Sequence, residues 1–260
     1  MTTQPSIQSI VAAHQQDFFK PFLHLHQTET GTGIASSIDL EKDIVILTYP
    51  LIRAPSSSSE AVVAVSSDAP DFDDTCRTDQ QTVLSAEWLL SELAKRERSE
   101  YRMWINLLPK VEDFNLFHSK ISKLLDRPED IEAFEERADV VQSLFDDRHH
   151  LLPPDTTLQM YQWSMSMIIS RSFDDDGVRY LLPGVDFFNH CDDDATEDDA
   201  RRLSVDIYQH VLIVSTVRQH KAGVDLCINY SKERHLSTKS AIMQYGFVPF
   251  VEKDNRGRSN

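Results

Sequence analysis

Leu181-Leu182-Pro183-Gly184-Val185-Asp186-Phe187-Phe188-Asn189-His190 is an apolar segment that ends on an amide and an imidazole. Such an ending sets two polar side chains at the edge of a buried element, within reach of backbone polar groups or of a ligand. Asparagine offers both a donor and an acceptor, which suits a ligand bearing an ammonium and a carboxylate. A lone Asn-His pair is more often structural, so the reading depends on what accompanies it.

Two further pieces do. Ile228-Asn229-Tyr230 closes an apolar strand with a tyrosine, and Tyr245-Gly246-Phe247 lets glycine turn two aromatic rings toward a common space. Rings grouped in this way would line a narrow channel and hold a cationic side chain such as lysine by cation–π attraction. The alternative is a plain aromatic core.

Outward from these pieces the chain reads as strands, then helices, then strands, an α+β pattern. Gly31-Thr32-Gly33-Ile34-Ala35, a polar turn and the β-branched run Ile44–Leu47, closed by Pro50, predict two short strands joined by that turn. The Ser- and Asp-rich stretch from Pro55 to Thr82 reads as a low-complexity surface loop. Helical periodicity then runs from Leu84 to Phe173. It predicts a helical pattern from Leu84, Trp88, Leu89 and Leu93 that Tyr101, Ile105 and Leu108 continue until Pro109 stops it, and another helix over Leu116–Leu125. Pro128 opens a longer helix that carries Ile131, Phe134, Ala138, Val141 and Leu144, and Asp155 caps a last one. Met160, Trp163, Met165 and Met167 read as core. Past Tyr180, Val205–Tyr208 and Val211–Val217 predict a hairpin across Gln209-His210, Val224–Tyr230 a strand, and Ser240–Tyr245 a short helix.

In this order, Gly31–Ala35, Trp104–Pro109, Ser170-Arg171-Ser172-Phe173, Leu182–His190, Ile228–Tyr230 and Tyr245-Gly246-Phe247 resemble SET-domain proteins of the RuBisCO large-subunit methyltransferase branch. That branch holds non-histone protein-lysine methyltransferases and an actin histidine methyltransferase. The resemblance covers about residues 20–250. It implies a SET fold of small sheets around a pseudoknot-like core, split by a helical insertion. The implied division is N-terminal SET strands at 20–53, a low-complexity loop at 54–83, the insertion at 84–173, the C-terminal SET half at 174–250 and a polar tail at 251–260. The helical substrate-binding domain usual in that branch is not expected within these residues.

The resemblance also implies S-adenosylmethionine as cofactor and a protein substrate. The cofactor would lie against Gly31, Thr32, Gly33, Arg171, Asp186, Asn189, His190, Tyr230 and Phe247. Arg171 would approach its carboxylate, and Asp186 would sit near its ammonium or hold the fold. Tyr230 would be the catalytic tyrosine, and Tyr245 and Phe247 would shape the lysine channel. The implied activity is protein-lysine N-methylation of a non-histone substrate. The alternatives are a SET-fold interaction module without catalysis, or histidine as the acceptor.

Composition narrows the partners. Forty-two acidic against 26 basic residues give a net charge of −16, unsuited to neutralising nucleic-acid phosphates. Such a charge attracts basic protein segments, or it serves only solubility. The acidic run Asp192–Asp199 leaves the same two readings open. Three singly scattered cysteines, Cys76, Cys191 and Cys227, suggest neither a zinc site nor a disulfide framework. His149-His150 beside Asp146 and Asp147 is a poor metal candidate, because adjacent histidines on a helix end diverge, and no metal is expected. No apolar run has the length of a membrane span, and Met1–Lys20 reads as neither signal nor transit peptide. Cytosol or nucleus is the expected location, and oligomeric state is open.

Overall fold

The computed structural model describes residues 20–28, 31–50, 80–175, 178–191, 203–208, 211–230 and 237–248. Its architecture is α+β, with three small sheets around a set of helices.

The sheet that matters for function has four strands. β1 (Leu23–Thr28) and β2 (Gly31–Ser36) form an antiparallel pair from Leu23↔Ser36 to Thr28↔Gly31. On its other edge β2 takes β9 (Asp225–Ile228), with Ile34 opposite Leu226. β9 then runs parallel to the two-residue strand β6 (Asn189–His190), giving the order β1-β2-β9-β6. A second sheet has β3 (Val45–Pro50), β8 (Val211–Thr216) and β7 (Leu203–Tyr208) in that order. Alternate residues of β8 are buried, as a half-buried strand requires. β4 (Ser172–Asp175) and β5 (Val178–Leu181) make a separate ribbon.

The expected strands are present, with changed partners. Gly31–Ala35 and Ile44–Leu47 do not pair with each other. They enter different sheets, because Ser36 and Asp39 tie the intervening turn to itself and to Ala222 rather than closing a hairpin. β1 has no counterpart in the sequence reading, although its buried Leu23 and Leu25 alternate with the half-buried His24 and His26 as in a half-buried strand. The Val205–Val217 hairpin forms, with Tyr208 opposite Val211.

Between β3 and β4 the described chain is helical: α1 (Gln80–Lys95), α2 (Arg102–Ile105), α3 (Ser119–Ser122), α4 (Pro128–Arg148) and α5 (Leu158–Arg171). α1 packs along α5 through the buried Ala86, Leu89 and Leu90. Pro128 stands in the first turn of α4, where its missing N–H costs no hydrogen bond. Trp163, Met165 and Met167 are core residues, as expected, and Met160 packs against them. Burial of each large apolar side chain contributes about 1.5–3 kcal/mol.

The helical pattern expected to run on from Leu84 to Leu108 stops at Lys95, its part at Tyr101–Leu108 keeps only the single turn α2, and the helix expected at Leu116–Leu125 shrinks to the single turn α3. Side chains capture the backbone there: Asn115 accepts from the Phe117 N–H, and Leu116 N–H donates to the Ser166 hydroxyl at 2.9 Å. Polar satisfaction by a neighbouring helix thus replaces helix continuation, while the apolar spacing still buries Trp104, Leu108 and Leu116.

The cap of α5 is a further correction. Asp155 lies in a left-handed turn at φ 67°, and Thr157 is the residue that accepts from Met160 N–H at 3.2 Å. The low-complexity reading falls largely on residues 51–79, outside the described ones, and α1 already begins at Gln80. The acidic run 192–199 and the turn 209–210 also lie outside them.

The cap assignment is testable by urea denaturation. Thr157→Ala is expected to cost about 1 kcal/mol of stability. Asp155→Gly, which removes only a left-handed side chain, is expected to cost none.

Candidate functional site

The site grows from the parallel pairing of β6 with β9. Asn189 stands opposite Cys227 and His190 opposite Ile228, and Cys191 N–H continues the ladder to the Ile228 carbonyl at 3.0 Å. Two segments about forty residues apart in sequence, each too short to be stable alone, become neighbours here. The same pairing brings Cys191 and Cys227 together as a disulfide, with Cα atoms 5.7 Å apart. This corrects the reading of three unrelated cysteines. A link across 36 residues between parallel strands has no spacing signature. Cys76 lies outside the described residues.

A polar row crosses the same sheet. His26 stands opposite Gly33, and Asp225 stands opposite Ala35, so the side chains from β1, β9 and β6 share one face. Asp225 Oδ1 meets His26 Nε2 at 2.9 Å, and Asn189 Nδ2 donates to Asp225 Oδ2 at 3.1 Å. They meet over Gly33. A Cβ there would lie 2.4 Å from Asp225 Oδ1 and 2.6 Å from Asn189 Nδ2, so only glycine leaves the row intact. Thr32 next to it accepts from Gln27 Nε2 at 3.2 Å, and Gly31 opens β2 opposite Thr28.

Beside the row, four rings close on themselves. His190 lies 5.1 Å from Tyr230, Tyr230 4.6 Å from Tyr245, Tyr245 6.2 Å from Phe247, and Phe247 5.8 Å from His190, centroid to centroid. Backbone chemistry fixes two of them. Tyr230 N–H donates to His190 Nδ1 at 3.2 Å, which leaves the proton of the neutral imidazole on Nε2. Tyr230 hydroxyl donates to the Phe188 carbonyl at 2.7 Å. Burial pushes the Tyr230 hydroxyl well above the usual tyrosine range, with Tyr245, Asp186 and Asp225 adding to the rise and Arg171 opposing it. It is therefore a protonated donor throughout the neutral range.

The other two rings ride on the end of a short helix. α6 (Thr238–Ser240) passes into a π-helical turn over Ala241–Tyr245, a distortion frequent at functional sites. Gly246 follows at φ 73° and reverses the chain so that Phe247 turns back toward Tyr245. Arg137, buried in the middle of α4, donates to the Met243 carbonyl at 2.6 Å and lies 4.7 Å over the Phe117 ring. The helical segment thus braces the turn that carries Tyr245.

Asp186 and Arg171 behave differently from Asn189. Asp186 is buried, and its oxygens accept from Gly184 N–H at 2.8 Å, Trp104 Nε1 at 3.0 Å and Arg171 Nη1 at 3.2 Å. Burial pushes its carboxyl above the usual range, against the pull of Arg171 and the two N–H donors. Arg171 Nη1 also donates to the Asp186 carbonyl, and the guanidinium lies 5.2 Å over Phe187. Of the two roles expected for Asp186, this geometry is that of a group that holds the fold.

Sequence reasoning missed Asp225, His26 and Arg137. Asp225 carried a signal that was overlooked: a carboxylate opening an otherwise apolar strand, Asp225-Leu226-Cys227-Ile228. His26 and Arg137 carried none, because their relevance comes from strand register and helix packing.

No protein-family model and no curated protein sequence matches the chain. Solved structures do. Rubisco LSMT bound to sinefungin and monomethyllysine superposes with a TM-score of 0.67 at 19% identity, over 94% of this chain and 56% of that one. The SET domain of LSMT bound to lysine and AdoHcy gives 0.69 at 16% identity, over 96% and 58%. LSMT bound to AdoMet gives 0.66 at 18% identity, over 94% and 57%. The chain therefore spans less than two thirds of the length of the chains it matches. The strand order, the helices between β3 and β4 and these superpositions agree that this chain has the SET-domain fold, in the form found in Rubisco LSMT.

Proposed function

We propose that this chain is an S-adenosylmethionine-dependent protein N-methyltransferase that methylates a lysine side chain of a non-histone protein. The observation that carries the reading is the closed ring of His190, Tyr230, Tyr245 and Phe247 beside the Asn189–Asp225 row over Gly33. Rubisco LSMT has been solved with AdoMet and with lysine on the same fold.

The residues fit the cofactor by their chemistry. The Asn189 amide suits an amino-acid ammonium, the backbone at Gly31, Thr32 and Gly33 offers polar groups, and His190 and Phe247 offer ring faces. Arg171 would supply positive charge toward a carboxylate, while its Nη1 stays with Asp186. Bound there, S-adenosylmethionine would supply an electrophilic methyl group on a sulfonium.

The chain's own work is to admit an amine, strip it of water and align it. A lysine with a pKa of about 10.4 must be neutral to act as a nucleophile, at a cost of about 4.6 kcal/mol at pH 7. Tyr230, Tyr245 and Phe247 lower that cost by desolvating the ammonium form as it enters. Because the Tyr230 proton is committed to the Phe188 carbonyl, its oxygen presents lone pairs, which suit polarised C–H groups of a methyl. Tyr230 thus orients rather than deprotonates. The net charge of −16 would draw a substrate with a basic segment.

Isothermal titration with S-adenosylmethionine is expected to show saturable binding, and its absence at high micromolar concentration would sink the reading. Mass spectrometry of a proteome extract treated with the protein and cofactor is expected to reveal methyl-lysine. Methyl-histidine would move the acceptor, and binding without any transfer would leave an interaction module. Tyr230→Phe is expected to keep cofactor affinity and to lose turnover on the order of 10²-fold. Full turnover by that variant would exclude the role given to the hydroxyl.

A further inference from the structure

Asp225 is a carboxylate with about a quarter of its side-chain surface exposed, at the rim of the four-stranded sheet. Among the described residues its ion-pair partner is His26, and its other hydrogen bond comes from the neutral amide of Asn189. No lysine or arginine among the described residues pairs with it. The contrast is Asp186, which sits fully inside and is met by the permanent charge of Arg171 at 3.2 Å. A carboxylate partly withdrawn from water gains most from a full positive charge. A carboxylate with no lysine or arginine partner among the described residues thus sits directly over Gly33, where it meets the Asn189 amide.

The hydrogen bond from Asn189 has a directional consequence. An amide can present either end, and donation from Nδ2 to Asp225 fixes which one. With Nδ2 held at 3.1 Å from Asp225 Oδ2, Asn189 Oδ1 is turned away from Asp225 and is available as an acceptor. His26 acts one layer further back, holding Asp225 Oδ1 at 2.9 Å from the neighbouring strand. The three side chains come from β1, β9 and β6, so their order is set by the sheet and not by a loop.

We propose that Asp225 is the positioning residue for recognition of the cofactor's α-ammonium, fixing the Asn189 amide so that its carbonyl oxygen faces the ammonium and adding the negative charge that selects it. The inference rests on the cofactor reading above and extends it to a residue outside the Asn-His and Gly-x-Gly segments. The site discriminates ligands with an amino-acid ammonium from adenine thioethers that lack one. Asp225 acts through Asn189 and through its field, and takes no part in the transfer itself.

The test measures two ligands against the intact chain by isothermal titration. One is S-adenosylhomocysteine. The other is its analogue with hydrogen in place of the α-amino group. The native protein is expected to prefer S-adenosylhomocysteine by at least about 10-fold. Asp225→Asn is expected to weaken S-adenosylhomocysteine by about 10-fold or more while leaving the deaminated ligand within about twofold, so that the preference collapses. His26→Gln keeps a donor toward Oδ1 and is expected to retain most of the preference. A general structural role predicts instead that Asp225→Asn weakens both ligands equally, and that result overturns the proposal. Unchanged affinity for both ligands overturns it too. Where the asparagine variant fails to fold by circular dichroism, Asp225→Ser removes the same charge with less bulk and carries the same comparison. A native protein that binds neither ligand overturns the cofactor reading as a whole, a result distinct from the two that overturn the role of Asp225 alone.

Discussion

A buried carboxylate holds the site together. Asp186 draws one hydrogen bond from its own turn at Gly184, one from Trp104 in the helical segment and one from Arg171 at the end of α5. An ionised aspartate at such depth costs several kcal/mol unless each lone pair is met, and breaking such a pair costs about 3–5 kcal/mol. The three donors therefore have to arrive together. That requirement fixes the 3-10 turn Val185–Phe187, and with it the direction in which the chain leaves toward Asn189 and His190. Phe187 and Phe188, both almost wholly buried, pin the same turn by packing. The carbonyl of Phe188 is then where Tyr230 finds its acceptor.

From that turn the geometry propagates by backbone pairing. β6 has two residues, too few to be a strand without a neighbour, and β9 supplies one. Parallel pairing of residues so far apart in sequence carries a loop-closure cost, which the disulfide between Cys191 and Cys227 offsets from the covalent side. Once His190 is in register with Ile228, the N–H of Tyr230 falls against His190 Nδ1, and the two rings share an edge of the aromatic enclosure. The opposite edge arrives from another direction, on the π-helical turn that Arg137 braces from α4. The helices between β3 and β4 are thus part of the site's mechanics, although none of them contributes a ring.

The sequence made the local pieces legible and left their partners unreadable. Asn189-His190, Tyr230 and Tyr245-Gly246-Phe247 were visible as chemistry because each is a short apolar segment closed by a polar or aromatic group. Helices with long periodic faces, such as α1, α4 and α5, were visible for the same local reason. The failures lie where a contact between distant residues decides the outcome. Ser166 on α5 captures Leu116 N–H and shortens a helix that the apolar spacing suggested. Gly31–Ala35 and Ile44–Leu47 looked like a hairpin, yet β2 prefers β1 and β9 while β3 prefers β8. Cys191 and Cys227 looked unrelated because parallel strands have no fixed separation in sequence.

The two aspartates of the site show how charge balance separates scaffold from surface. Asp186 lies within the Leu181–His190 segment, and Asp225 meets that segment through Asn189 in the sheet. Asp186 has an arginine within hydrogen-bond distance and a side chain that is almost wholly enclosed, so its charge is already neutralised inside the fold. Asp225 has an imidazole, an amide and access to solvent. Its carboxylate is held in place with no lysine or arginine partner among the described residues. An interior that pairs one carboxylate with a permanent cation and leaves the other at the rim with an imidazole and an amide places a carboxylate at one point of the sheet, over Gly33. A positively charged group arriving there gains more than it would at any balanced pair, and the orientation of Asn189 follows from the same carboxylate. The rigidity of this edge therefore depends on one feature, the absence of a side chain at Gly33, which lets three strands bring their polar groups together.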